Sequence, residues 1–160
     1  MLNIKLICLG KMKEQYLIEA FSEYSKRMSA YCKLEVDELP EERLPPGPSA
    51  AQVSAALSRE GAAISRRIPP GYFSIALCIE GRACSSEQFA AFLADCSNRG
   101  ASRLCFIIGS SNGLDEALKT SADERLSLSQ MTLPHHLARV MLAEQLYRAL
   151  SLNAGGKYHK

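Results

Sequence analysis

Residues 103–114 read RLCFIIGSSNGL: a continuous apolar run from Leu104 to Ile108 that stops at Gly109 and enters the polar turn Ser110–Gly113. A strand with one solvated face alternates apolar and polar residues, whereas an unbroken run is buried on both faces. Such a strand belongs in the interior of a parallel sheet with helices on both sides. In sheets of this kind ligands approach the carboxyl ends of the strands, and a glycine there lets a ligand come close to the backbone.

The flanking segments fit the same reading. Upstream, SSEQFAAFLADCSNRG (85–100) opens with serine and closes with glycine, as helix caps do, and YFSIALCIEG (72–81) is a second apolar strand, reached through the turn IPPG from a helix over about 50–67. Further back, NIKLICL (3–9) reads as a buried first strand, and residues 13–31 carry Leu17, Phe21, Tyr24 and Met28 at helical spacing. KLEVDEL (33–39) alternates like a half-exposed strand, and PEERLPPGPS (40–49), with four prolines, forms a surface loop long enough to move. Downstream, a short helical piece at 115–122 precedes RLSLSQMTL (125–133), whose alternation predicts a last strand, and a final helix runs from about 135 to 151. Strands alternating with helices make the fold class α/β: a mostly parallel sheet with helices on both faces, in one domain over 1–160. Three strand-end loops then stand ready to line one crevice: the loop after Leu77–Glu80, Gly109–Gly113 and Ser129–Pro134.

Composition narrows the classes. With 47% hydrophobic and 22% charged residues the chain is globular in character, and its apolar runs are strand-length, too short to span a bilayer. The N-terminus MLNIKLICLGKMK has no small-residue cleavage site and reads as a strand, so a cytoplasmic location is expected. Six cysteines include no C-x-x-C pair, and several lie inside apolar runs, which points to buried reduced thiols rather than disulfides or a zinc site. The net charge of +2 is too small to announce a nucleic-acid binder. Its distribution says more, because residues 131–160 carry a net +3, a weak pointer to an anionic partner at the C-terminal end.

GSSNG does not meet the spacing of a dinucleotide-binding or Walker-type phosphate loop, so any ligand there would be held by backbone groups. In TLPHHLARV (132–140), Pro134 falls near the first helical position and Thr132 is placed to cap. Leu137, Val140, Met141 and Leu150 form an apolar stripe expected to supply core. His135 and Arg139 are four apart and share a helix face, while Glu144 and Arg148, also four apart, suit a surface ion pair. A cation beside the imidazole, with no carboxylate or cysteine in step, makes a metal site unfavourable, so no metal is expected.

FIIGSSNGL, LSLSQMTLPHHLARVMLAEQLYRAL and the terminal GKYHK, taken together, resemble the SPOUT-type RNA methyltransferases that modify 23S rRNA, the RlmH family, along essentially the whole chain. The resemblance implies a homodimer with a deep trefoil knot in its C-terminal half. It also implies methyl transfer from S-adenosylmethionine to N3 of a pseudouridine in 23S rRNA on the assembled ribosome. Matched position by position, the cofactor pocket would comprise Leu77, Gly109, Leu128, Ser129, Gln130, Met131, Thr132 and Leu133. Where the family's usual loop has a second glycine this chain has Ser110, which would be strained if the position required positive φ. His136 lies outside the motif.

Pseudouridine N3 bears a proton and is a poor nucleophile until it leaves, so a base or a stabiliser of the anion is needed. The candidates are His135 and His159, with Arg139 and Arg148 able to favour the anion or hold phosphate. Residues 154–160 are expected to form a mobile arm, in which Tyr158 stacks on a base while Lys157 and Lys160 contact phosphate. Two other functions suit the same residues: a related knotted enzyme acting on tRNA or at a ribose hydroxyl, and a non-catalytic nucleotide- or RNA-binding module.

Overall fold

A computed structural model describes residues 1–159. The elements in chain order are β1 (Leu2–Leu9), α1 (Gln15–Met28), β2 (Cys32–Leu39), α2 (Ala50–Ser65), β3 (Phe73–Ala83), α3 (Ser86–Asn98), β4 (Arg103–Ile108), α4 (Glu116–Ser121), β5 (Glu124–Ser127) and α5 (His135–Asn153). All strands pair in parallel, in the order β2-β1-β4-β3-β5. The half-exposed β2 lies at one edge and the short β5 at the other.

Side chains alternate across the pleat, and each central strand feeds two cores. Ile4, Leu6 and Cys8 of β1, with Leu104, Phe106 and Ile108 of β4, pack under α1, α3 and α5. Their neighbours Ile7, Leu9, Cys105 and Ile107 pack on the other face against Ile64 of α2 and Leu114 and Leu118 around α4. The unbroken apolar runs are therefore each split between two faces. Helices α2 and α3 open with capping boxes, Ser49 with Gln52 and Ser85 with Gln88, which satisfy the free N–H groups of their first turns. None of the six cysteines is bonded to another, and Cys78 and Cys84 are half-buried where burial was expected.

Three expectations need correction. The alternation at 125–133 yields only a four-residue strand, because its polar positions are spent on local turns. Ser127 Oγ donates to the Ser129 carbonyl at 2.9 Å, and the Met131 N–H donates to Ser129 Oγ at 2.9 Å. At the start of α5, Pro134 is the cap itself and no side chain, Thr132 included, caps the helix. The core face of α5 is Leu142, Ala143, Leu146, Ala149 and Leu150, leaving Leu137, Val140 and Met141 half-exposed.

β3 has an irregularity that periodicity does not show. Leu77 and Arg82 both pair with Leu126, so residues 78–81 form a bulge in β3 that returns to the same point of β5. The return needs glycine: a Cβ on Gly81 would lie 2.6 Å from the Leu126 carbonyl carbon and 2.8 Å from its nitrogen. Backbone cannot give way as a flexible side chain can. Gly81→Ala is therefore expected to destabilise the protein by about 3 kcal/mol or more, above the usual range for overpacking. Urea unfolding checks this, and a midpoint shifted by less than a third of that amount would show that the crossing is looser than its geometry.

Candidate functional site

The carboxyl ends of β3, β4 and β5 and the first turn of α5 enclose a cleft of about 360 Å³, within the range of small-molecule sites. Leu77, Ile108, Leu128 and Leu133 give it apolar walls, and the loops 109–113 and 128–133 bring peptide groups to its edges. An apolar slot rimmed by backbone donors and acceptors suits a flat heterocycle with polar edges. All three expected strand-end loops line it.

The loop after β4 is held tightly. Gly113, at φ +87°, donates its N–H to the Ser110 carbonyl at 2.9 Å, and a Cβ on Gly109 would collide with the Gly113 carbonyl. Gly109 is thus required by contact within the loop. Ser110 is free of the strain that a positive φ would bring, since among the described residues none other than glycine has positive φ. Its side chain is buried, and Oγ donates to Glu60 Oε1 at 3.1 Å.

In the loop before α5, Leu128, Ser129, Met131, Thr132 and Leu133 line the cleft, and Met131 stands 77% exposed at its mouth. Gln130 points outward and lines nothing there. His135 and Ala138 close the α5 side. Burial pushes the His135 imidazolium below the ordinary value of 6.5, and the neighbouring His136 adds to this, while Glu41 opposes it. Glu41 Oε1 lies 3.0 Å from His135 Nε2, off hydrogen-bonding geometry. At neutral pH His135 is therefore an uncharged imidazole at the cleft wall with a carboxylate beside it. His136 faces away, with Nδ1 3.3 Å from Glu14 Oε2 at the start of α1.

Arg139 does not enter this cleft. It is 2% exposed, and its guanidinium donates to Glu38 Oε2 at 2.6 Å, to the Leu9 carbonyl at 2.6 Å and to the Gly10 carbonyl. Where β1 leaves the sheet its last carbonyls have no ladder partner, and a buried guanidinium satisfies them. The shared helix face is real, but the longer side chain reaches back to β1.

The tail forms a separate cluster. Tyr158 packs on Tyr147 with ring centroids 4.6 Å apart, lies 4.7 Å under the Arg148 guanidinium and donates its hydroxyl to Glu144 Oε1 at 3.2 Å. Burial leads the effects that push the Tyr158 phenol up to about 12. Arg148 donates from Nε to Glu144 Oε1 at 3.0 Å, and His159 Nε2 lies 2.7 Å from Glu87 Oε1 at the start of α3. Residues expected on a free arm fold back on α5, and neither Arg148 nor His159 lines the cleft. Lys157 is exposed, and Lys160 lies outside the described residues. Among the described residues no three metal-ligating side chains cluster, and no helix is long and apolar enough to cross a membrane.

Residues 2–159 match the family model described as "Predicted SPOUT methyltransferase". The chain is 43% identical to ribosomal RNA large subunit methyltransferase H of Listeria monocytogenes and 44% to that of Clostridioides difficile, over 99% of this chain and all of each relative. The chain belongs to the RlmH family of SPOUT methyltransferases. Among solved structures it is similar to a probable methyltransferase of Bordetella pertussis (TM-score 0.58, 17% identity, 92% of this chain and 95% of that one). It is also similar to a probable methylase family protein of Haemophilus influenzae (TM-score 0.53, 13% identity, 98% of this chain and 70% of that one). At those identities the likeness speaks for the fold alone.

For a SPOUT methyltransferase, two features of this cleft went unread in the sequence. Lys119 on α4 pairs with Glu80 and with Glu116 at the cleft's outer edge. Glu60 on α2 sits behind the loop 109–113. The signal for Glu60 was available, since a glycine inside a helix, here Gly61, often marks a close packing contact. As for Arg139, its replacement by alanine would take the donor from the Leu9 and Gly10 carbonyls, at about 1–3 kcal/mol for each buried acceptor, while Glu38, 40% exposed, keeps the Met12 N–H and solvent. Lysine cannot reproduce the fork and should recover less than half. Thermal or urea unfolding of both variants measures this, and a stable Arg139→Ala protein with lost turnover would return Arg139 to the reaction site.

Proposed function

We propose that the protein transfers a methyl group from S-adenosylmethionine to N3 of a pseudouridine in 23S rRNA of the assembled ribosome, acting as a homodimer in the cytoplasm. The relatives named for ribosomal RNA large subunit methylation support the rRNA substrate. The observation that carries the chemistry is His135: an imidazole held neutral by burial, at the wall of a cleft fit for an adenosine-sized ligand.

The sulfonium donor supplies an activated methyl carbon for in-line attack. The protein's share is alignment and proton removal. Leu77, Gly109, Leu128, Ser129, Met131, Thr132 and Leu133 would hold the donor, with Gln130 standing outside that set. His135 would take the N3 proton, and the carboxylate of Glu41 would offset the positive charge it gains. Arg148, Lys157, Tyr158 and Lys160 would meet RNA after the tail leaves its seat on Glu144 and Tyr147. His159 would join the reaction only through the same rearrangement or from a second copy. That second copy has an apolar surface to cover in Leu137, Val140 and Met141, the half-exposed side of α5.

Incubation of labelled S-adenosylmethionine with intact ribosomes, free 23S rRNA and tRNA tests the substrate. Label is expected on the ribosome and should map to N3 of a pseudouridine; label on tRNA alone would overturn the reading. The base has its own test. Burial lowers the folded-state value of His135, so its neutral form persists below the ordinary imidazole range and is lost only as pH falls further. Accordingly kcat is expected to stay level through the ordinary imidazole range, fall only at lower pH, and show no acid limb in His135→Gln, whose residual rate drops by about 10²–10⁴-fold. An unchanged acid limb in that variant would assign the proton to another group.

A further inference from the structure

The wall of the cleft rests on a side chain outside it. Glu60, in the interior of α2, is 5% exposed, and both its carboxylate oxygens are engaged. Oε1 accepts from Ser110 Oγ at 3.1 Å, and Oε2 accepts from the Glu42 N–H at 3.0 Å. The next residue brings α2 against the far end of the same loop, for a Cβ on Gly61 would lie 2.8 Å from Asp115 Cβ. Helix α2 thus touches the cleft loop at its start, Ser110, and at its close, Asp115. Between these points lies a cavity of about 200 Å³ bounded by Glu41, Glu42, Glu60 and Ser110–Asn112. Ser110 Oγ also accepts from the Asn112 N–H at 3.4 Å within the loop, and across the open space behind it the Glu60 bond ties Ser110 to α2.

The second oxygen leads elsewhere. Glu42 lies in the proline-rich loop between β2 and α2, and its neighbour Glu41 places Oε1 3.0 Å from His135 Nε2. Arg59 adds a bond from Nε to Glu42 Oε2 at 3.1 Å. This loop, which composition marks as mobile, is therefore pinned where it passes the imidazole.

We propose that Glu60 is a positioning residue for methyl transfer: one oxygen sets the cofactor loop through Ser110, and the other sets Glu41 against His135 through the Glu42 N–H. The inference rests on the cofactor and base assignments above. A buried carboxylate with two specific donors costs desolvation that a loop tether alone would not require. Burial indeed holds the Glu60 carboxyl above its ordinary value. Two rigid bonds from one side chain make the donor pocket and the base move together.

The two branches separate by mutation. Glu60→Gln keeps an acceptor for one donor but turns an N–H group toward the other, whereas Ser110→Ala removes only the cofactor branch. Calorimetry with S-adenosylmethionine and pH-dependent turnover on ribosomes are measured for each variant and for the double variant, with thermal melting to confirm the fold. Loss of one such bond is expected to weaken cofactor binding about tenfold in each single variant. The double variant should be no more than about twofold weaker than the worse single one, as expected for residues that act through one another. In Glu60→Gln the acid limb of kcat should also move to lower pH, because a displaced Glu41 no longer favours the imidazolium; in Ser110→Ala it should stay. Additive losses, or a folded Glu60→Gln enzyme with unchanged affinity and unchanged acid limb, overturn the proposal. If Glu60→Gln does not fold, Ser110→Ala decides: wild-type affinity would refute the cofactor branch. Failure of the wild-type protein to bind S-adenosylmethionine would instead refute the cofactor assignment itself.

Discussion

The backbone of Gly81 lies against that of Leu126, with no room for a side chain between them. This contact brings the end of β3 back to β5 after the excursion of residues 78–81 and sets the order of everything around the cleft. Leu77 on one side of the excursion and Leu128 on the other become walls of the same cavity because the two strands meet twice at Leu126. The knotted topology of the SPOUT family, one of the few exceptions to unthreaded connections, comes with membership of that family and is separate from this bulge. The cleft thus draws its walls from several loops, with β3 brought back to β5 at its floor.

The opposite wall is set by Arg139. One turn after His135, its guanidinium is locked onto the Leu9 and Gly10 carbonyls at the carboxyl end of β1 and onto Glu38 of β2. A helix held at that point is fixed about its axis, which sets the backbone from which the imidazole on the preceding turn projects. Spacing alone offers both residues as participants in one reaction. The structure divides them by length: the short side chain stays at the cleft, and the long one satisfies the sheet.

Much of this was legible in the residues. Unbroken apolar runs reported a sheet covered on both faces, cap residues placed the helices within a few positions, and glycine after β4 marked the ligand side. What failed had a common physical cause. The alternation at 125–133 is a strand pattern, but Ser127 and Ser129 bond locally and end the ladder at the edge, where no second neighbour strand holds it. Gln130 turns outward because consecutive residues of a tight loop cannot all face one cavity. The stripe Leu137, Val140 and Met141 has helical spacing yet is not core, since α5 is packed by α1 and α3 on its other side. Gly81 and Glu60 owe their roles to partners 45 and 50 positions away in the chain; no local pattern encodes the first, and for the second the glycine beside it, Gly61, is the one local sign.

The C-terminal charge illustrates the difference between formal and available electrostatics. Of the cations behind the net +3 of residues 131–160, Arg139 is buried against β1 and Arg148 is neutralised by Glu144 under Tyr158. Within the described residues Lys157 is the remaining cation of that segment facing solvent. Phosphate contacts supply most salt-dependent affinity for nucleic acid, each contributing a released counterion. Among its described residues this segment, seated in this way, has little to offer there. The seat of the tail is held by a phenol hydrogen bond, an aromatic contact and a cation–π contact, each worth on the order of 1 kcal/mol. RNA that offered Tyr158 a base to stack on and Arg148 a phosphate would replace those interactions nearly in kind. On the proposed reading the exchange would be close to balanced, and a structured ribosomal surface that supplies additional contacts would tip it where a short free strand would not.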